Sequence, residues 1–290
     1  METTTVAGSA GLGTLLRAAL PSLPVVGGLP GVRKASPAGF EGLSYDRPPV
    51  TVRREDVDTY ARVCGFPVKD TVPLTYPHLL AFGLHMAIMT DPAFPAPAVG
   101  MVHVENSITR HRQIPVGSRL EVGTRVGPPG PHPKGTTYTF ATEVRDDDGL
   151  AWESTSTYLR RGRGDDTAPG GTSFPDAPPT GTVWRLPADL GRTYAAVSGD
   201  HNPIHLYPLT AKALGFPRQI AHGMWTKARC VAALENRLPD AVRVEVAFKK
   251  PVLLPGKVAF GSASLEDGYA FSLTSPGSRA PHLAGQTTSL

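Results

Sequence analysis

The sequence has few cysteines, few charged residues and no long hydrophobic run. Its two cysteines, Cys64 and Cys230, lie far apart, which excludes a disulfide framework and a cysteine-rich metal motif. We interpret them as reduced, buried thiols of a cytoplasmic protein. Charged residues make up 19% of the chain, and the formal net charge is only +4. Because the cations are dispersed and no recognised binding motif accompanies them, nucleic acid is not expected as a partner.

A membrane partner is not expected either. The most apolar N-terminal window, residues 11–20, is too short to cross a bilayer, and Arg17 interrupts it. No Lys or Arg precedes the window, and Pro21 and Pro24 follow it, unlike a signal peptide or a membrane span. The window predicts a short amphipathic helix that packs on the body of the protein.

Glycine and proline, by contrast, are abundant, with 31 and 30 residues respectively. This composition favours many turns and short strands over a helical bundle. A faint repeat aligns Tyr60 with Tyr194 and Gly65 with Gly199, and each glycine ends a short helical pattern. Residues 161–181 are rich in Gly, Pro and Asp and lack apolar periodicity, so they predict a linker between two halves.

Each half shows helical patterns followed by strand patterns. Helices are predicted near residues 76–90, 187–197 and 208–214, and a longer one begins near residue 222. Alternating patterns predict strands at 102–109, 118–126, 136–144, 151–160, 242–248, 257–265, 269–274 and 282–290. The economical fold is α+β, with a long helix against an antiparallel sheet in each half.

The segment from Gly199 to His205 is the hardest to explain by packing. Asp200 and His205 stand five positions apart, and Asn202 and Pro203 stiffen the turn between them. An acid and a base held by a rigid corner suggest proton-transfer chemistry. The structural alternative is that Asp200 caps the turn and His205 is a hydrogen-bonded core residue. Asn202 is expected to brace the loop or a water, although turn formation explains it nearly as well.

These residues carry a resemblance to a known family. The run from Tyr194 through His205 to Ala211, YAAVSGDHNPIHLYPLTA, resembles the hydratase-2 motif of MaoC-like (R)-specific enoyl-thioester hydratases. Residues 220–224, IAHGM, resemble the glycine segment that opens that family's central helix. Residues 72–77, VPLTYP, are similar to a run in actinobacterial 3-hydroxyacyl-thioester dehydratases of the double-hot-dog type.

The resemblance implies an α+β double hot-dog of two repeats. Residues 1–160 would form a degenerate repeat with an N-terminal extension, 161–181 the linker, and 182–290 the catalytic repeat. Asp200 and His205 would hold one water facing C3 of a trans-2-enoyl thioester. The backbone N–H of Gly223 would stabilise charge on the thioester oxygen. The alternative is that Gly223 only relieves crowding between helix and sheet. No chemical step is assigned to His222.

The first half departs from this pattern. Only residues 66–72 separate Gly65 from Pro73, with no Asp-x-Asn-Pro-x-His run, so one active site per chain is expected. The resemblance implies that the shortened half leaves room for an acyl tail. That space would be lined by Leu79, Phe82, Leu84, Met86 and Met89. Ordinary core packing also explains an apolar helical stripe of this kind.

The predicted function is therefore a cytoplasmic hydro-lyase of fatty-acid metabolism. It would interconvert trans-2-enoyl and (R)-3-hydroxyacyl thioesters of coenzyme A or acyl-carrier protein, without a cofactor. No metal is expected, because Pro203 separates His201 from His205 and no third ligand is evident. A hot-dog thioesterase and a non-catalytic acyl-thioester-binding subunit are the alternatives, and a homodimer is left open.

Overall fold

The computed structural model describes residues 4–5 and 40–290. Its strands are β1 (Thr4–Thr5), β2 (Ser44–Thr51), β3 (Met101–Arg110), β4 (Arg119–His132), β5 (Gly135–Asp146), β6 (Gly149–Arg161), β7 (Pro179–Leu186), β8 (Val242–Phe248), β9 (Gly256–Leu265), β10 (Gly268–Thr274) and β11 (Pro281–Ser289). Its α-helices are α1 (Arg54–Cys64), α2 (Pro77–Thr90), α3 (Leu190–Ser198), α4 (Pro203–Leu206), α5 (Pro208–Ala213) and α6 (Gly223–Leu234). A 3₁₀ turn, Glu235–Arg237, follows α6.

All of these strands form one sheet, in the order β1-β2-β4-β5-β6-β3-β8-β11-β10-β9-β7. Apart from the parallel pair of β1 and β2, neighbouring strands are antiparallel. Read outward from the centre, the first repeat has the order β3-β6-β5-β4-β2 and the second has β8-β11-β10-β9-β7. The two repeats therefore share one strand order. The two halves meet where β3 pairs with β8, from Glu105↔Ala247 to Arg110↔Val242. The predicted α+β fold of two repeats is confirmed.

Most predicted elements lie within a few residues of the observed ones, but three of the observed strands were not predicted: the two-residue β1, β2 and β7. Strand β2 contains Pro48 and Pro49, where its register with β4 shifts, and β7 contains Gly181 beside a similar shift. Proline and glycine mimic a turn in the sequence, yet they are tolerated in strands at sheet edges and bulges. Strand β7 ends the sheet, and only the two-residue β1 lies outside β2.

Two further predictions concern the ends of the halves. Residues 162–178 contain no helix or strand, although the ends of the predicted linker, Arg161 and Pro179–Gly181, belong to strands. The division of the chain into 1–160, 161–181 and 182–290 stays a proposal. The amphipathic helix predicted at 11–20 lies outside the described residues. In the part of the chain that the structure describes, no helix is long and apolar enough to span a bilayer.

The main core lies between the helices and the sheet and joins both repeats. Trp152 on β6 is fully buried, and its indole N–H donates to the carbonyl of Leu74 over 2.8 Å. From the second repeat, the indole of Trp225 donates to the carbonyl of Val63 in the first, over 3.0 Å. Cys64 and Cys230 are both buried free thiols, as predicted. The two repeats therefore share one core.

Lys227 on α6 connects this helix to the seam of the sheet. The side chain is fully buried, and its ammonium donates to the carbonyls of Asn106 (3.1 Å) and Val244 (2.9 Å) and to Asn106 Oδ1 (2.5 Å). A lysine ammonium has three donors, so all of them are used. The contact fixes α6 to β3 and β8, and thereby fixes the position of the N-terminus of α6.

Candidate active site

The acid of the predicted pair follows a sharp exit from α3. Gly199 has a φ of 74°, a left-handed conformation that glycine adopts without steric cost and that redirects the chain after the helix. Asp200 comes next, with its side chain 24% exposed. Its Oδ1 accepts a hydrogen bond from the backbone N–H of Asn202 over 3.1 Å. One carboxylate oxygen thus caps the turn, as the structural alternative required, and Oδ2 remains for another contact.

The base lies on a helical turn instead of in a simple loop. Residues 200–207 were interpreted as a turn, but Pro203–Leu206 form the one-turn helix α4. Asn202 is its N-cap, with Oδ1 accepting from the N–H of Ile204 over 3.3 Å, and Pro203 occupies the first helical position. Both residue types are favoured at these places because they satisfy or remove otherwise unpaired N–H groups. Asn202 and Pro203 thereby set the orientation of His205.

His205 is buried, with its proton position fixed by the backbone. Its Nδ1 lies 2.8 Å from the carbonyl of Ile220. Because a carbonyl only accepts, Nδ1 carries the proton, and Nε2 is left with a lone pair when the ring is neutral. Burial lowers the pKa of His205, although the Asp200 carboxylate and the bond to Ile220 oppose the shift. The imidazole is therefore neutral at pH 7 and can act as a base.

His222, to which the sequence assigned no step, packs directly on this pair. Its ring stacks on that of His205 with centroids 3.7 Å apart, and its Nε2 donates to the backbone carbonyl of Asp200 over 2.9 Å. Burial, followed by the neighbouring His205, lowers the pKa of His222 to about 3. The neutral ring therefore holds the Asp200 loop against the helix tip without adding charge to the site.

The three polar groups converge on a small volume. A carboxylate oxygen of Asp200 and a ring nitrogen from each of His205 and His222 lie within 4.8 Å of one another. One water can bridge two such atoms, because each hydrogen bond spans about 2.8 Å. These residue types also ligate metals, but here the rings are stacked at 26° with one nitrogen of each bonded to a carbonyl. One nitrogen of each ring is thus left for a water or another ligand beside the Asp200 carboxylate.

Gly223 is the first residue of α6, directly after His222. Amides at this position have no carbonyl partner within their own helix and lie at the positive end of its dipole. A Cβ placed on Gly223 would come within 3.3 Å of the Phe248 ring. The close approach that was given as the structural alternative is therefore present. The hydrogen bond from the Gly223 N–H to a substrate stays a prediction.

The residues predicted to line an acyl space are divided between two hydrophobic clusters. Leu84 is buried in the main core, whereas Met86 and Met89 belong to a smaller cluster around Phe94. Leu79 and Phe82 are only partly buried and pack against one cluster each. Core packing accounts for all five positions, and their contact with an acyl group stays a prediction.

The sequence analysis overlooked a group of polar rings in the first repeat. His78 and His85 lie on α2 with ring centroids 5.4 Å apart, and His103 on β3 lies 6.0 Å from His78. Tyr158 on β6 stacks on His103 at 4.5 Å. One signal was available, because His78 and His85 are seven positions apart in an apolar helix and so share a face.

Two repeats in one sheet, with the Asp200–His205 pair in the second, define a protein of the double-hot-dog type. Residues 174–268 match the family model of the MaoC like domain. The chain is 37% identical over 283 residues to 3-hydroxyacyl-thioester dehydratase X of Mycobacterium tuberculosis, covering 97% of this chain and 98% of that protein. This chain belongs to the MaoC-like family, as the resemblance predicted.

Solved structures agree with this assignment. The crystal structure of HtdX of Mycobacterium tuberculosis matches with a TM-score of 0.76 at 36% identity, covering 85% of this chain and 100% of that chain. The predicted double hot-dog is thereby confirmed. An acyl-ACP thioesterase from Bacteroides thetaiotaomicron matches with a TM-score of 0.52 at 13% identity, covering 88% and 99% of the two chains. At that identity the likeness shows the fold alone.

Proposed function

We propose that this protein is a hydro-lyase that interconverts trans-2-enoyl and (R)-3-hydroxyacyl thioesters in fatty-acid metabolism. One observation carries the proposal: a carboxylate oxygen of Asp200 and a ring nitrogen of neutral His205 lie within 4.8 Å of each other beside the tip of α6. The names of its relatives support it, since they include two 3-hydroxyacyl-thioester dehydratases and a 3-hydroxybutyryl-CoA dehydratase.

In the hydration direction, the pair would hold one water against C3 of the substrate. His205 Nε2 accepts a proton from the water as its oxygen bonds to C3, and the Asp200 carboxylate orients that oxygen. The C2–C3 double bond breaks toward C2, which takes up a proton from the pair. Net addition of one water leaves both side chains in their starting states. Dehydration runs through the same steps in reverse.

The N-terminus of α6 would stabilise the charge that this reaction creates. As electrons move toward the thioester, negative charge grows on the carbonyl oxygen. The Gly223 N–H can donate to that oxygen, and the helix dipole adds to the stabilisation. Lys227 contributes indirectly, because its bonds to Asn106 and Val244 keep α6 in place.

Several finer assignments belong to the same proposal. The acyl carrier is coenzyme A or acyl-carrier protein, and the (R) configuration follows from the family resemblance alone. No cofactor is needed, because water addition to a conjugated double bond involves no change of redox state. A cytoplasmic location is proposed from the two buried free thiols, Cys64 and Cys230. One active site per chain is proposed, because residues 66–72 carry no Asp-x-Asn-Pro-x-His run.

The test is an assay of trans-2-enoyl-CoA hydration. Loss of the conjugated absorbance measures the rate, and chiral analysis identifies the configuration of the product. His205→Ala should lower kcat about a hundredfold to ten-thousandfold, since the base is lost. His201→Ala is the matched control, because His201 lies in the same segment with an exposed side chain and should leave kcat within a few-fold. Full activity of His205→Ala would refute the proposal. Thiol release without hydration would identify a thioesterase, and saturable binding without turnover a binding subunit.

A further inference from the structure

The polar rings of the first repeat form a connected group beside the candidate active site. We call His78, His85, His103 and Tyr158 the histidine–tyrosine cluster. The rings of His78 and His85 are almost completely buried, and Tyr158 is 8% exposed. His103 is partly buried. Polar rings removed from water are costly unless their nitrogens and hydroxyl are hydrogen-bonded.

Two nitrogens of the cluster have no such bond. His78 Nδ1 and His103 Nε2 are buried atoms with no hydrogen-bond partner among the residues that the structure describes. His85 differs, because its Nδ1 contacts the Tyr158 hydroxyl and its Nε2 contacts the Thr142 hydroxyl, both at 3.1 Å. An unpaired buried polar atom costs about 1–3 kcal/mol. Two of them in one cluster point to a site for a polar group of a ligand.

The cluster adjoins the place where the acyl chain would enter. The Phe248 ring lies beside Gly223 and also 5.1 Å from the ring of His103, so it connects the tip of α6 to the cluster. The Asp200 carboxylate acts electrostatically on both His78 and Tyr158, which places the cluster on the same side as the catalytic pair. An acyl chain extending past Phe248 would therefore meet imidazole nitrogens.

The charge of the surroundings defines what these nitrogens can bind. Burial, followed by the Lys227 ammonium, lowers the pKa of His78 to about 4, and burial also lowers that of His103. Neutral imidazoles offer one donor and one acceptor each. An anion would lie near the Asp200 carboxylate, and all three donors of Lys227 are already used. An uncharged oxygen, in a hydroxyl or a keto group, fits these conditions.

We propose that His78 and His103 determine specificity by binding an uncharged oxygen carried by the acyl chain beyond C3. This inference rests on the proposed function and names its substrate class: oxygen-bearing enoyl thioesters are preferred over saturated-tail ones of equal length. It adds a polar contact, from other residues of α2 and from β3, to the predicted tail site lined by Leu79, Phe82, Leu84 and Met86.

The experiment compares matched pairs of trans-2-enoyl-CoA substrates. Within each pair, one member has a hydrocarbon tail, and the other carries a hydroxyl or keto oxygen at one of the successive carbons from C4 onward. The wild type should show a kcat/KM ratio of about tenfold in favour of one oxygen position. His78→Leu and His103→Leu should each reduce that ratio toward one. Partial unfolding lowers both members of a pair equally, so the ratio isolates specificity. Separate hydroxyl and keto series distinguish the two oxygens.

His85→Leu is the control, because both of its nitrogens are bonded within the protein and the ratio should persist. Calorimetric Kd values for saturated acyl-CoA pairs give the same comparison without turnover. Hydration of all members with no preference, or with preference for the hydrocarbon tail, would overturn the inference alone. Preferential binding of the oxygen-bearing member without hydration would overturn the proposed function and keep the inference. If the protein showed no hydration and no preferential binding, both the inference and the proposed function would be overturned.

Discussion

The two repeats have the same backbone conformation where the chain leaves α1 and α3, but they differ in the residues that follow. We call these two segments the first corner (residues 66–70) and the second corner (residues 200–219). In the first repeat α1 ends at Gly65 with φ 78°, and in the second α3 ends at Gly199 with φ 74°. Each repeat then has an isolated β-bridge, Thr71↔Pro115 in the first and Ile220↔Leu253 in the second. Residues 66–70 fill the first corner, whereas residues 200–219 fill the second and carry the acid and the base.

The shared frame shows how the chemistry is held in place. The N–H of the residue after each bridge donates across the corner over 2.8 Å, from Val72 to Ile114 and from Ala221 to Val252. His205 bonds through Nδ1 to Ile220, the bridge residue itself. The longer segment of the second corner is therefore attached to the scaffold at the point that both repeats share. A loop on such a rigid frame can acquire function without altering the fold.

A second equivalent pair differs in the same manner. His78 and Lys227 each lie seven positions after their bridge residues, on α2 and α6 respectively, and both are buried. Lys227 has all its donors bonded at the seam, whereas His78 keeps an unpartnered nitrogen. One position stabilises the junction of the repeats, and the other is left available for binding.

The largest expected effect comes from removing one acid in each corner. Asp200→Asn should lower kcat for enoyl-CoA hydration about a hundredfold to ten-thousandfold, because the amide cannot orient the water as a carboxylate does. Asp70→Asn is the matched change in the first corner, where Asp70 is exposed and pairs only with Arg54 at the surface. Steady-state kinetics of the Asp70 variant should equal the wild type. Equal losses in both variants would contradict the assignment of catalysis to the second corner.

The next largest effect is on stability, and it should differ between the two equivalent buried positions, Lys227 and His78. Lys227→Met removes three hydrogen bonds, to Asn106 Oδ1 and to the carbonyls of Asn106 and Val244, so the free energy of unfolding should fall by about 2–4 kcal/mol. His78→Leu removes a nitrogen that already lacks a partner and should change it by less than about 1 kcal/mol. Urea unfolding followed by circular dichroism measures both. A larger loss for His78→Leu than for Lys227→Met would reverse the roles given to these positions.

A smaller effect distinguishes the two glycines. Alanine at φ near +75° costs about 1–2 kcal/mol, so Gly65→Ala and Gly199→Ala should both lower stability. Gly65→Ala also requires the Arg229 guanidinium to move, because its Nη1 lies 2.7 Å from the position of the new Cβ. The two variants should differ in kinetics. Only Gly199→Ala is expected to lower kcat, because Gly199 directs Asp200 toward the helix tip. If Gly65→Ala reduced kcat equally at a temperature where both proteins are folded, the assignment of catalysis to the second corner would be contradicted.

The same contrast explains what the sequence could and could not predict. The local signals were sufficient for the helix-ending glycines and for the proximity of Asp200 to His205, because both depend on consecutive residues. The catalytic role of the pair stays a prediction. Strands β2 and β7 were missed because proline and glycine look like turns there. The histidine–tyrosine cluster was missed because its members come together only when α2, β3 and β6 pack in three dimensions. His85 and Tyr158, for example, are 73 positions apart in the chain.

The smallest expected effect is a shift in the pKa of His205. Burial lowers the pKa of His205, while the Asp200 carboxylate raises it by favouring the charged ring. Asp200→Asn removes that opposing charge, so the pKa of His205 should fall further below its ordinary value. NMR titration of the imidazole Cε1 proton measures the shift, and Asp70→Asn is the control that should leave it unchanged. A rise in Asp200→Asn would show that the carboxylate does not face this ring, and the water-holding pair would then have no basis.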